Sequence, residues 1–159
     1  MSKTEISAEP GQPMISITRE FDAPRELVFR AHIDPDLLAQ WLGPRDLATA
    51  VDRYEARNGG TWRYLQADAE GSTYGFHGVF HGDPSPDGIV QTFEFEGAPG
   101  HVCLQTTTLA ERGGKTLLRT ASAFQSVEDR DAMVASGMER GVHDSGERLA
   151  ELLARLQAS

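Results

Sequence analysis

Cysteine is nearly missing from this chain: there is one, Cys103, in 159 residues. A lone cysteine cannot close a disulfide within the chain or build a multi-cysteine zinc site. It sits in the strand-like run "HVCLQTTTL", where nothing nearby would lower its pKa, so an inert buried thiol is expected. Positive charge is also scarce. Fifteen Lys and Arg against 24 Asp and Glu leave a formal net charge of -9 and a pI near 4.9. Nucleic acid and anionic membrane surfaces are both gripped through clustered cations, so neither is an expected partner. No apolar run approaches the roughly 20 residues of a membrane span. The opening "MSKTEISAEPGQP" has no apolar signal region, and a cytoplasmic location is expected.

The familiar catalytic signatures are absent too. There is no G-x-S-x-G elbow, no G-x-G-x-x-G turn after a strand and no P-loop. Five histidines invite a metal reading, but His77 and His81 stand four residues apart on one strand face, about 13 Å at strand rise. His143 has no partner one helical turn on, and "HDSGE" spreads its His, Ser145 and acids around a helix. A solvated helix face is the simpler reading of that segment, and neither a metal, a cofactor nor a catalytic residue is assigned.

What is present is a clear order of elements. Residues 1–13, with Pro10, Gly11 and Pro13, read as a flexible leader, and residues 14–157 as one domain. "MISITREF" (14–21) has strand alternation, with Ile15, Ile17 and Arg19 on one side. "DAPRELVFRAHI" reads as a short helix with Asp22 placed to cap, and "DPDLLAQWLG" as a second, capped by Asp34 and stopped at Gly43. Six strand-like runs come next, at 48–56, 61–68, 74–82, 89–96, 101–110 and 115–124, joined by tight-turn chemistry. Such a series implies an antiparallel meander. Helical signals close the chain over 126–157: a start at Ser126, a candidate break at Gly137, and an apolar stripe through Met138, Val142, Leu149 and Leu153. Gly141 and Gly146 inside that helix each cost about 1 kcal/mol relative to Ala, so they need a packing reason or an offsetting role.

"RNGGTWRY" (57–64) frames the question of function. Gly59 and Gly60 turn the chain, and Trp62 and Tyr64 then share one strand face. Singly, each ring is accounted for by core packing. As a set with their neighbours the inward residues mix aromatics with a few hydrogen-bonding groups, which is the composition of a small-molecule pocket.

Those segments resemble a known family. "FDAPRELVFRA…DPDLLAQWLGP", "RNGGTWRY", "VFHGD", "IVQTFEFEG" and "SVEDRDAMVASGMERGVHDSGERLAELLA" are similar to stretches of the family named after the activator of the Hsp90 ATPase. That family lies within the START-like (SRPBCC) superfamily, and the likeness runs from about Met14 to Gln157. It implies an α+β helix-grip fold: a curved antiparallel sheet of about seven strands around a long C-terminal helix, with two short helices after the first strand. In that fold a cavity lies between sheet and helix, and Trp41 resembles a residue near its mouth. Strand alternation then sends Tyr54, Trp62, Tyr64 and Gln66 inward, together with Phe76, Phe80, Gln91 and Phe93, with Leu104 and Thr106 behind them. Met138, Gly141 and Val142 would face them from the helix. The expected function is binding of a small hydrophobic or aromatic molecule by a monomer or homodimer. Two alternatives are a polyketide cyclase or aromatase, for which Asp52 is the candidate acid, and a co-chaperone-type interaction domain.

Overall fold

A computed structural model describes residues 3–158. Eight strands form one antiparallel sheet: β1 Glu5–Ser7, β2 Met14–Phe21, β3 Ala48–Tyr54, β4 Thr61–Ala67, β5 Thr73–Val79, β6 Gly88–Phe95, β7 Val102–Arg112 and β8 Lys115–Ala123. Their spatial order is β1-β2-β8-β7-β6-β5-β4-β3, a curled sheet that does not close. Helices α1 Arg25–Ile33 and α2 Pro35–Leu38 lie between β2 and β3, and α3 Val127–Ala135 and α4 Met138–Ala158 end the chain. This is the expected α+β helix-grip architecture with one strand more.

The extra strand comes from the expected flexible leader. Ile6 pairs with Ile17, and Thr4 is buried against Arg19. Met1 and Ser2 lie outside the described residues. Helix starts obey local chemistry with one exception. Asp34 accepts from the Asp36 N–H and Ser126 from the Asp129 N–H, each a side-chain oxygen meeting a free first-turn donor. Asp22 does not cap α1. Its place is taken by Glu111 on β7, which accepts from the Arg25 N–H at 2.7 Å. A cap supplied 86 residues away leaves no local pattern to read.

Gly137 divides α3 from α4 with φ +84°, a left-handed value that side-chain-bearing residues rarely adopt. Beyond it, α4 has two unlike halves. Leu149, Leu152 and Leu153 are buried in a core with Val28, Leu38 and Leu109. Between Met138 and Arg148 no residue is buried. The loop between α2 and β3 is strapped to α4 instead. The Gly43 N–H donates to Ser145 Oγ at 2.8 Å, the Arg45 N–H to Asp144, and Arg148 to the carbonyls of Gly43 and Gln40. "HDSGE" is therefore more than a solvated face: Asp144 and Ser145 satisfy loop backbone that would otherwise lack partners.

Candidate functional site

Between the concave sheet face and the N-terminal half of α4 lies a space of about 810 Å³. Its floor begins at the "GGTWRY" hairpin. Gly59 and Gly60 bond across to Phe80, setting the β4–β5 register in which Trp62 faces Gly78 and Tyr64 faces Phe76. A Cβ on Gly78 would stand 2.7 Å from the Trp62 indole. The missing side chain makes room for the ring, and Trp62 is 1% exposed. Trp62 and Tyr64 stack at 5.3 Å, Tyr64 and Phe76 at 5.2 Å, and Phe93 lies 5.4 Å from Phe76 and 5.9 Å from Trp62. Alternation on β4, β5 and β6 has thus produced one continuous aromatic wall.

Most of the residues singled out in the sequence border this space. Tyr54, Trp62, Tyr64, Gln66, Phe76 and Phe93 lie along it on the sheet. Gln91 borders it further along β6, Trp41 from the turn after α2, and Met138, Gly141 and Val142 from α4. Phe80 does not. It is fully buried behind the wall, edge-on to Tyr54 at 5.4 Å.

Two further corrections concern facing. On β7 the inward set is Cys103, Gln105 and Thr107 rather than Leu104 and Thr106, because Cys103 pairs with Phe93 and Gln105 with Gln91. Leu104 is 43% exposed. A run as mixed as "VCLQTTTL" gives alternation no contrast, so the partner strand decides its phase. Asp52 also faces out. A bulge between Val51 and Arg53 brings both Val51 and Tyr54 to the concave side, and Asp52 meets Arg63 outside at 3.4 Å. On that outer face Arg63 and His77 converge on Glu96 at 2.7 and 2.9 Å. The Arg63 guanidinium, then His77, hold the Glu96 carboxyl down to about 2.

The polar groups of the wall fall into two kinds. Some are satisfied: the Trp41 indole N–H donates to the Ala31 carbonyl at 2.9 Å and the Tyr54 hydroxyl to the His32 carbonyl at 2.6 Å. Others have no protein partner among the described residues, namely the buried indole N–H of Trp62, the amides of Gln66, Gln91 and Gln105 and the hydroxyls of Tyr64 and Ser122. Burial holds both Tyr54 and Tyr64 well above the usual phenol range, so each stays a neutral phenol. Burial likewise pushes the Cys103 thiol up to about 11, which leaves it inert.

Several charged or titratable side chains bordering the space escaped the sequence reading: His101, which meets Asp129 at 2.9 Å, Arg140, and two more, on α1 and β2. His32 on α1 has Nδ1 2.8 Å from the Val28 carbonyl, an acceptor only, so Nδ1 carries the proton and Nε2 is left as an acceptor. Its ring packs 4.8 Å from Trp41, and burial lowers its pKa. Arg19 on β2 is the other. Its place beside Ile15 and Ile17 was legible, but its burden was not, because only α4 makes that face an interior. Among the described residues no group of three or more His, Cys, Asp or Glu could hold a metal ion, and no helix is long and apolar enough to cross a membrane.

A curled antiparallel sheet with a helix laid in its concavity is the helix-grip class, and known structures agree with it. The family described as "Activator of Hsp90 ATPase homolog 1-like protein" matches residues 22–154, and the chain belongs to it. A solution structure of a protein from Arthrobacter aurescens superposes with a TM-score of 0.87 at 25% identity, covering 95% of this chain and 91% of that one. A crystal structure of a Rhodobacter sphaeroides protein gives a TM-score of 0.86 at 28% identity, covering 95% and 99%. A protein from the dynemicin biosynthetic locus shares the fold at 19% identity and a TM-score of 0.66, over 90% of this chain and 48% of its own. Comparison with curated proteins finds no match.

Proposed function

We propose that this protein binds a small, flat or elongated and mostly apolar organic molecule between the aromatic wall and the N-terminal half of α4. One observation carries the reading. A stacked aromatic wall and several unpartnered polar side chains face the stretch of α4 in which no residue is fully buried. Apolar surface left facing water forgoes roughly 25 cal/mol per Å², and unpaired polar groups await a partner. A ligand of mixed character answers both, and about 810 Å³ is the size of a drug-like site.

Catalysis is outside the proposal. Asp52, the carboxylate a cyclase-like reaction would have used, lies on the outer face beside Arg63. The binding reading is tested with N-phenyl-1-naphthylamine, a neutral dye that brightens in apolar surroundings. The expected result is saturable, blue-shifted fluorescence at one site per chain, abolished in Gly141→Leu. An unchanged dye spectrum at a large excess of folded protein would overturn the reading. Native mass spectrometry of the protein as purified would show any retained natural ligand directly.

A further inference from the structure

Resting on that reading, we propose that the space contains a subsite for one negative charge on its ligand, a carboxylate held by Arg19. The β2 residues facing inward are Ile15, Ile17, Arg19 and Phe21, so a cation stands in an otherwise apolar row. Helix α4 accommodates it by omission: a Cβ at Gly146 would stand 3.1 Å from Arg19 Nη1 and 3.2 Å from its Cδ. The guanidinium lies 5.5 Å from the Phe21 ring centre, and Nη1 donates to the buried Thr4 hydroxyl at 3.0 Å.

That hydroxyl is a neutral partner. Arg19 Nε is buried with no acceptor. Nη2 also lacks a protein partner among the described residues, yet it is not sealed off as Nε is. Glu147, on the exposed side of α4, attracts the guanidinium only from beyond ion-pair contact, while burial works against its charge. A guanidinium brings five N–H donors in a planar fork suited to carboxylate. Taken partly out of water with its donors largely unused, it is costly unless an anion completes it. Among the described residues no carboxylate reaches ion-pair distance of it, so the complement comes from outside.

The arrangement also orients the ligand. The aromatic wall belongs to β4, β5 and β6, and Arg19 belongs to β2, across β7 and β8. Gln91, Gln105 and Ser122 form one register row that meets β2 at Ile15, and Thr107 and Thr120 lie in the next inward row, which meets it at Ile17, so the path from the wall to Arg19 crosses these polar groups on the diagonal. A molecule reaching across would be apolar at one end, hydrogen-bonding in the middle and anionic at the other.

The test uses the bound naphthylamine dye as reporter and two competitors alike in shape, 2-naphthoate and neutral 2-naphthamide, near pH 7.5. For the wild type, naphthoate should displace the dye at a concentration at least about tenfold lower than naphthamide, the effect expected of a charge-assisted hydrogen bond. Read as the ratio of the two competitors' midpoints within the variant, whatever its dye affinity, that preference should be erased by Arg19→Met. Arg19→Lys should keep most of it, since the charge remains without the fork. Equal displacement by both competitors in the wild type, or a preference that persists in Arg19→Met, overturns the subsite and leaves the apolar reading standing. Naphthoate that binds by calorimetry without any dye binding, and is lost in Arg19→Met, overturns the apolar reading and keeps the subsite. Binding of neither probe overturns both. Should Arg19→Met fail to fold, the wild-type ratio decides alone: a tenfold preference supports the subsite and its absence overturns it.

Discussion

Gly141 and Gly146 stand little more than one turn apart on α4, and both face the inside of the molecule, yet their surroundings are opposite. A Cβ on Gly141 would meet only Pro44, at 3.4 and 3.6 Å, an ordinary van der Waals contact beside open space. A Cβ on Gly146 would collide with the Thr4 hydroxyl and press on Arg19. Past Gly146, leucines bury fully against the core; before it, side chains are at most half-buried. One helix therefore serves two ends. Its C-terminal half is a structural pillar, and its N-terminal half is a roof held up by loop straps from Gly43 and Arg45 rather than by packing. The two glycines teach that a helix-breaking residue tolerated at a cost of about 1 kcal/mol can be kept for opposite reasons, room for a guest or room for a neighbour.

The largest expected effect sets one half against the other. Leu152→Ala, in the closed half, should cost about 2–5 kcal/mol in denaturant unfolding. Val142→Ala, in the open half, should cost less than about 1 kcal/mol, because Val142 is only partly buried and borders the space rather than packed core. Similar losses from both would mean that the space is filled by packing in solution. The glycines come next. Gly146→Leu should destabilise by about 1–3 kcal/mol or more through overpacking and release β1. Gly141→Leu should be neutral or stabilising by about 1 kcal/mol through helix propensity, while abolishing dye binding. A destabilised Gly141→Leu would close the open half of the comparison.

The smallest effect is a pH slope. Burial lowers the His32 pKa below the ordinary 6.5. Above that value the imidazole is neutral in both folded and unfolded chains and contributes nothing. As pH falls below it, the unfolded chain takes up a proton that the folded chain does not, and stability declines. His32→Asn keeps an N–H donor for Val28 and cannot titrate there, so it should flatten stability from about pH 6.5 downward. If the roof lets water reach His32 freely, the wild type and the variant will run parallel. Glu96, on the outer face, supplies an internal control in a lower window. Its depressed folded pKa makes its contribution complete above 4.5 and lost as pH falls toward about 2. Glu96→Gln should change only that lower limb.

Much of this fold was legible because its signals are local. Turn glycines, the Asp34 and Ser126 caps and the contrast of Trp62 and Tyr64 against Arg63 each depend on neighbours within a few residues. The candidate wall was legible for the same reason wherever alternation had contrast. It failed at Leu104 and Thr106, where both faces carry similar residues, and at Asp52, where a bulge inserts one residue and reverses the alternation around it. Phe80 has the expected facing but lies too deep, since depth behind the wall depends on how Tyr54 packs over it. Glu111 capping α1, and Asp144 and Ser145 strapping a loop 99 and 102 residues away, could be seen only once the chain had folded.

By itself, then, the sequence determined the order of elements, the α+β class, the family and the inward face of β4, because periodicity and turn chemistry are properties of short stretches. Tertiary structure alone decided which inward residues pack and which stand over empty space. It turned Arg19 from one more charged strand residue into a cation under a helix, and His32 from a helix-end histidine into a neutral ring beside Trp41. The physical reason is that burial, desolvation and unmet hydrogen bonds belong to the surroundings of a side chain, and those surroundings are assembled from residues far apart in the chain.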